Sequence, residues 1–221
     1  NINGGSSMTL KLNGSSSGSV ALDAPASTTG GADVALTLPV DDGDSGEVLQ
    51  TNGSGALSWA MPITHIAPVT LGSVTDKELS SSLPAGWKRL TVIFKNVSQT
   101  SNGFFSVQLG KADGTYYTSG YAGSHGYIAG TSPEEYGDTA GFGIYSIAGS
   151  DLSGSYTIVP FQATGTSDTY ISQMQATNGS TSLRVGSGIL TGVNAAITRV
   201  RLHCYESQSF DAGSASLMYE M

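Results

Sequence analysis

The sequence predicts an all-β chain in two parts: an intertwined, trimeric β-stalk over residues 1–62, then a jelly-roll-like antiparallel β-sandwich head over residues 63–221. Three observations predict it. Apolar and polar residues alternate in short runs, the period of a half-buried strand. Gly, Ser, Asn and Asp turns separate those runs, with 30 glycines in 221 residues. Helical spacing is confined to a turn or two in Thr75 to Leu83.

The first part repeats loosely. Met8-Leu10-Leu12, Val20-Leu22, Val34-Leu36-Leu38 and Val48-Leu49 follow one another at intervals of about a dozen residues. Asn13-Gly14 and Gly30-Gly31 mark turns between them, and Pro39 stops the third run. Each run sets about three apolar side chains against the backbone entropy of a dozen residues, about 1–2 kcal/mol apiece. A lone copy does not fold on those terms. Strict alternation predicts that the apolar stripe is buried by other copies of the chain, with Trp59 buried as well.

From about Ile63 the runs lengthen and become β-branched and aromatic. Leu90-Val92-Phe94 and Phe105-Val107-Leu109 flank an Asn102-Gly103 turn. Strands are predicted over Tyr156 to Gln162, Thr169 to Ala176, Ser182 to Leu190, Ile197 to Tyr205 and Ala215-Leu217-Tyr219. Turns at Asn178-Gly179, Gly192 and Asp211 to Gly213 suit a sandwich. Gly110 to Gly149 reads instead as a long functional loop, rich in Gly and tyrosine. Its Tyr116, Tyr117, Tyr121, Tyr127 and Tyr136 are the candidate ligand-binding residues, since a phenol offers a flat apolar face and a hydroxyl to carbohydrate rings or protein partners. The alternative is that these rings fill the core or a contact between subunits.

Charged residues make up only 12% of the chain while hydrophobic ones make up 38%, which argues against a charge-solvated disordered segment. The net charge of −8 and the nine scattered Lys and Arg argue against a nucleic-acid partner. No apolar run approaches the ~18–20 residues of a membrane-spanning helix, so no membrane insertion is expected. The single cysteine, Cys204, alternates inward with Val200 and Leu202 and reads as a buried filler. The chain opens on Asn1 without Met and is expected to be a piece of a longer protein.

Chemistry is hard to place. Gly14-Ser15-Ser16-Ser17-Gly18 matches the G-x-S-x-G elbow in letters but sits in a stalk turn. Asp41 to Glu47 fails the calcium-loop pattern, because Gly46 stands where a side-chain ligand belongs. His65, His125 and His203 share no ligand spacing, with His125 in a glycine loop and His203 facing outward; an axial three-histidine site in a trimer is the alternative. Glu134-Glu135 splay apart on an extended chain. No catalytic residue, no cofactor and no metal are expected, and the protein is read as a non-enzyme.

Two stretches resemble a known family. Leu38 to Ala60, in the arrangement LP-x-x-DG-x-x-G-x-VLQTNGSGALSWA, is similar to the segment preceding the C-terminal domain in structural proteins of tailed phages, especially marine ones. The run from Leu83 to Val92, LPAGWKRLTV, resembles the opening of a domain at the ends of phage tail fibres. A VQLG strand at Val107 to Gly110, a TSGY turn at Thr118 to Tyr121, Arg199 to Arg201, and FDAGS with a closing YE over Phe210 to Glu220 extend the resemblance. Gly123 to Ser155 matches nothing in it. The resemblance implies a homotrimeric virion protein, a distal tail-fibre fragment. Its implied partners are a bacterial surface glycan or outer-membrane protein, together with other virion proteins. The alternatives are a capsid head fibre or decoration protein and, less well matched, a polysaccharide depolymerase tailspike.

Overall fold

The computed structural model describes residues 10–23, 25–129, 132–161, 168–178, 182–205 and 208–221, with the side chains of 127–129 and 132–134 excepted. The chain is all-β, and its strand ladders are antiparallel. It divides into two compact units, Asn1–Met61 and Pro62–Met221.

In the first unit β1 (Leu10–Asn13) and β2 (Ser19–Leu22) form a hairpin, closed where the Gly14 N–H donates to the Gly18 carbonyl at 3.0 Å. Leu10 sits opposite Leu22 and Leu12 opposite Val20, so four aliphatic side chains share one side. Met8 lies outside the described residues. A second hairpin joins β3 (Val48–Thr51) to β4 (Leu57–Ala60), its turn held by the Asn52 side-chain carbonyl, which accepts from the Ser54 and Ala56 N–H groups. Trp59 is only half-buried. Its indole N–H donates to the Asp41 carbonyl at 3.0 Å, and Gly43 lies so close that a Cβ there would come 2.6 Å from the ring.

Val34 to Leu38 does not form the expected strand. Thr37 alone makes a bridge, parallel to Ala56, accepting from the Leu57 N–H and donating to the Gly55 carbonyl at 2.8 Å each. No second strand carries that ladder further, so the alternating pattern has nothing to pair with. None of the described residues from Leu10 to Met61 is buried.

The second unit stacks two sheets over a common core. Its strands are β5 (Ile63–Thr70), β6 (Asp76–Ser80), β7 (Arg89–Gln99), β8 (Gly103–Gly110), β9 (Tyr121–Ala129), β10 (Ser132–Asp138), β11 (Phe142–Ser146), β12 (Leu152–Phe161), β13 (Asp168–Thr177), β14 (Ser182–Val193), β15 (Arg199–Cys204) and β16 (Phe210–Glu220). The larger sheet runs β10-β9-β14-β13-β12-β7-β16-β5 and the smaller β11-β8-β15-β6. Leu90, Val92 and Phe94 of β7 point at the core, as do Phe105, Val107 and Leu109 of β8. The Phe105 ring meets those of Phe94 and Phe210 edge-on, 5.8 and 5.6 Å away. Trp87 closes one end, donating its indole N–H to the Ile197 carbonyl at 3.1 Å and packing against Tyr170.

Both outer strands of the larger sheet carry a proline, Pro68 in β5 and Pro133 in β10. Pro68 falls at an irregularity in the β5–β16 register. A residue with no N–H is tolerated at an edge and blunts further strand pairing there.

The stretch from Gly110 to Gly149 is not a long loop, since it holds β9, β10 and β11. Gly123, Ser124, Gly126 and Gly137 take many strand positions and dilute the apolar alternation that marks strands elsewhere. Thr75 to Leu83 contains β6, not a helical turn. Leu79 is the only fully buried position in that strand, too little to show a two-residue period. The Asn178-Gly179 turn falls partly outside the described residues.

Candidate functional site

The tyrosines expected to form one receptor-facing loop fall in three environments. Tyr121, at the start of β9, is core. It is 5% exposed, its hydroxyl accepts the Leu109 N–H at 3.0 Å, and its ring meets Phe142 edge-on. Alternation along β9 turns it inward with His125, so it is not a surface contact. The Tyr127 side chain lies outside the described residues.

Tyr116 and Tyr117 sit in the turn after β8, which folds back along that strand. The Lys111 N–H bonds the Thr115 carbonyl, and the Tyr117 N–H bonds that of Leu109. The Tyr116 hydroxyl donates to Glu78 Oε2 at 2.6 Å, and the Arg201 guanidinium covers its ring at 4.2 Å. The same Glu78 oxygen takes Arg199 Nη1 at 2.7 Å. The Tyr116 hydroxyl, and after it Arg199, holds Glu78 below the ordinary glutamate range. Burial, then the Glu78 carboxylate, lifts the Tyr116 phenol well above its usual value. Tyr117 packs against the core and pairs its hydroxyl with Asn194, 3.1 Å from the side-chain oxygen and 3.2 Å from the backbone N–H.

These contacts belong to a polar layer on the outer side of the smaller sheet. Arg201 Nη1 reaches Asp76 at 3.1 Å, His203 Nδ1 reaches the same carboxylate at 2.8 Å, and Arg201 Nε donates to Gln108 at 2.8 Å. Gln108 in turn donates to the Ala140 carbonyl at 2.7 Å. His203 thus faces outward, as its place in the alternation predicts, and is held by a carboxylate.

Tyr136, on β10, stacks between two rings, 5.5 Å from His125 and 4.8 Å from Tyr145, with Phe104 set across all three. His125 lies in a strand, not a glycine loop, and is 1% exposed. Its Nδ1 stands 3.2 Å from Asp138, so base and orienting carboxylate are adjacent. Its Nε2 has no hydrogen-bond partner among the described residues, and the stacked rings cover it. That arrangement packs a hairpin; it presents no imidazole to solvent. Next to it Arg184 is fully buried, donating from Nε to the Tyr145 carbonyl at 2.8 Å and from Nη1 to Ser182 Oγ at 3.0 Å. Scattered basic residues gave no hint of a buried guanidinium.

The remaining chemical candidates settle into structure. Gly14 to Gly18 links two strands, where the nucleophile elbow requires a following helix. Asp44 and Glu47 bond each other, the Glu47 carboxylate taking the Asp44 N–H at 2.6 Å. Cys204 is buried and inward-facing, and burial pushes its thiol pKa up to about 12. Among the described residues no group of three or more His, Cys, Asp or Glu side chains is placed to hold a metal ion.

The outer face of the larger sheet is the surface that sequence reasoning passed over. A shallow trough of about 970 Å³ runs along it, lined by Ser155, Thr157, Ile171, Gln173, Gln175 and Val185. Its signal was present in the outward positions of β13 and β14, which carry aliphatic residues where solvent-facing strands usually carry charge. No family model, curated protein or solved structure matches this chain.

Proposed function

We propose that the chain is the distal part of a phage tail fibre, a homotrimer whose first unit is a stalk and whose second is a β-sandwich head that attaches to the bacterial surface. One observation carries the reading. Leu10, Leu12, Val20, Leu22, Val34, Leu36, Leu38, Val40, Val48, Leu49 and Met61 are each 46–103% exposed, in a unit with no buried residue among those described. Each gains about 1.5–3 kcal/mol when buried. Two small hairpins cannot cover that surface themselves, and a two-stranded ribbon is marginal alone. Strands from three copies, wound together, give every apolar side a partner. The motif resemblance over Leu38 to Glu220 supports the same assignment, as does the absence of charge clusters suited to nucleic acid.

The head then works by number. Three equivalent weak sites on one rigid trimer raise the effective affinity far above that of each. A glycan or envelope protein of the host is the proposed ligand. The test has two readings: the mass of the intact chain by light scattering, and the position of a labelled antibody on whole particles. Three times the 22.6 kDa chain mass, with label at the tail tip, is expected. A monomer, or label spread over the capsid, overturns the assignment.

A further inference from the structure

We infer that the outer face of the larger sheet is the surface by which one head packs against the next copy of the chain. The inference rests on the trimer proposed above and concerns a different unit from the stalk. Ile93, Val159, Ile171, Leu183, Val185 and Ile189 all point outward from this face and are 36–42% exposed. Between them stand uncharged side chains, Ser155, Thr157, Gln173, Gln175 and Ser187. The outward positions of β12, β13 and β14 carry no charge, and charge enters at the margins of the face, with Glu135 of β10 at the trough and Arg89 and Lys95 on β7, as at a polar rim.

Depletion of charge with retained aliphatic and amide groups marks the centre of a protein–protein contact, whereas a solvated sheet face alternates with charge. A sugar site would be expected to offer aromatic platforms, yet Phe161, at the end of β12, is the one aromatic ring among the described outward residues of β12, β13 and β14. The extent is also right. The five neighbouring strands β9, β14, β13, β12 and β7 span roughly 24 Å at ~4.8 Å each, and ten-residue strands run roughly 33 Å. That is about 800 Å², one partner's share of a standard stable interface.

The threefold symmetry proposed above fixes the kind of contact. A ring of three is built from contacts between unlike surfaces, so this face of one head takes a different part of the next. Contacts between unlike surfaces close into rings when the rotation allows, and three copies make such a ring.

The experiment places a photo-crosslinking residue in the full chain at Val185, separately at Ile171, at Asp113 in the turn after β8, and at Leu36 in the stalk. All four are exposed, so the fold tolerates the change. Links from 185 and 171 into a second copy, seen as a band at twice the chain mass, with none from 113, are expected. Links between copies from 36 but none from 185 or 171 overturn this inference and leave the trimer standing. A crosslink from 185 to a host envelope component instead of a second copy also overturns it. Absence of copy-to-copy links at every position, with the mass of a single chain, sinks both this inference and the trimer.

Discussion

Single residues show where this fold has no slack. At Asn96 the chain adopts φ of 52° beside a register shift, its N–H satisfied by Ser153 Oγ at 2.9 Å. Opposite, Gly213 holds φ of 103°, and a Cβ there would stand 2.6 Å from the Asn96 carbonyl oxygen and 2.7 Å from the Val97 Cα. Both contacts are backbone and cannot rotate away. Gly213→Ala is therefore expected to destabilise the second unit by about 1–3 kcal/mol, read as a lower urea midpoint at unchanged m-value. Cys204 makes a second case. Its Sγ accepts from Gln99 Nε2 at 3.2 Å, and burial holds the thiol pKa at about 12. Thiolate, the reactive form, is then scarce at pH 8. A thiol reagent is expected to leave the native chain unmodified over hours and to label one site in denaturant; rapid native labelling would contradict the inward placement.

Elements differ in how plainly the sequence announced them. Leu90-Val92-Phe94 in β7 and Phe105-Val107-Leu109 in β8 put a buried apolar side chain at every second position, and β13 alternates buried with exposed from Tyr170 to Thr177, so these runs could be read directly. β9 and β10 were illegible because glycine and serine fill positions a β-branched residue would otherwise mark, and β5 because Pro68 interrupts it. Val34 to Leu38 misled in the other direction: alternation alone does not supply a neighbouring strand to bond. The tyrosine site was legible as composition but not as geometry. Alternation along β9 decides that Tyr121 is core, and only the fold puts Glu78 under Tyr116. That pairing carries a pH signature. A carboxylate whose folded pKa lies below its unfolded value stabilises above the unfolded pKa, about 4.3, and loses that contribution as pH falls through the folded one. Below about pH 4 the turn from Lys111 to Tyr117 is expected to loosen, seen as a lower protection factor at the Tyr117 amide once the pH dependence of intrinsic exchange is divided out. Glu78→Gln should remove the pH dependence; an unchanged profile in that variant would assign it elsewhere. The β1–β2 hairpin gives a test of the stalk. Replacing Leu10, Leu12, Val20 and Leu22 with Ser removes one apolar side entirely. At about 1.5–3 kcal/mol per side chain the four amount to about 6–12 kcal/mol per chain, so dissociation is expected to move up on the order of ten-thousandfold or more in concentration. The fold of the Pro62–Met221 unit should persist in the dissociated variant, since its core contains none of the four.

At the scale of the whole molecule the two units divide the work unequally. Pro62–Met221 has a continuous core; Asn1–Met61 has no buried residue among those described, and the proposed trimer is what would cover its apolar side chains. In the proposed trimer, association through the first unit becomes available to the second without any contact made at the proposed receptor. Linked sites act at an effective concentration in the millimolar range when the geometry allows simultaneous engagement, and avidity then exceeds the affinity of one site by about 10²–10⁴. The hairpin variant separates the two contributions, because its head surface is untouched. At equal chain concentration, below its dissociation midpoint, it is expected to adsorb to host cells about 10²–10⁴-fold less than the native trimer, with far-ultraviolet circular dichroism preserved. Re-joining three variant chains through a foreign trimeric coiled coil should restore most of the loss. Equal adsorption by the dissociated variant would mean that one head suffices, and that threefold assembly serves stiffness and not attachment.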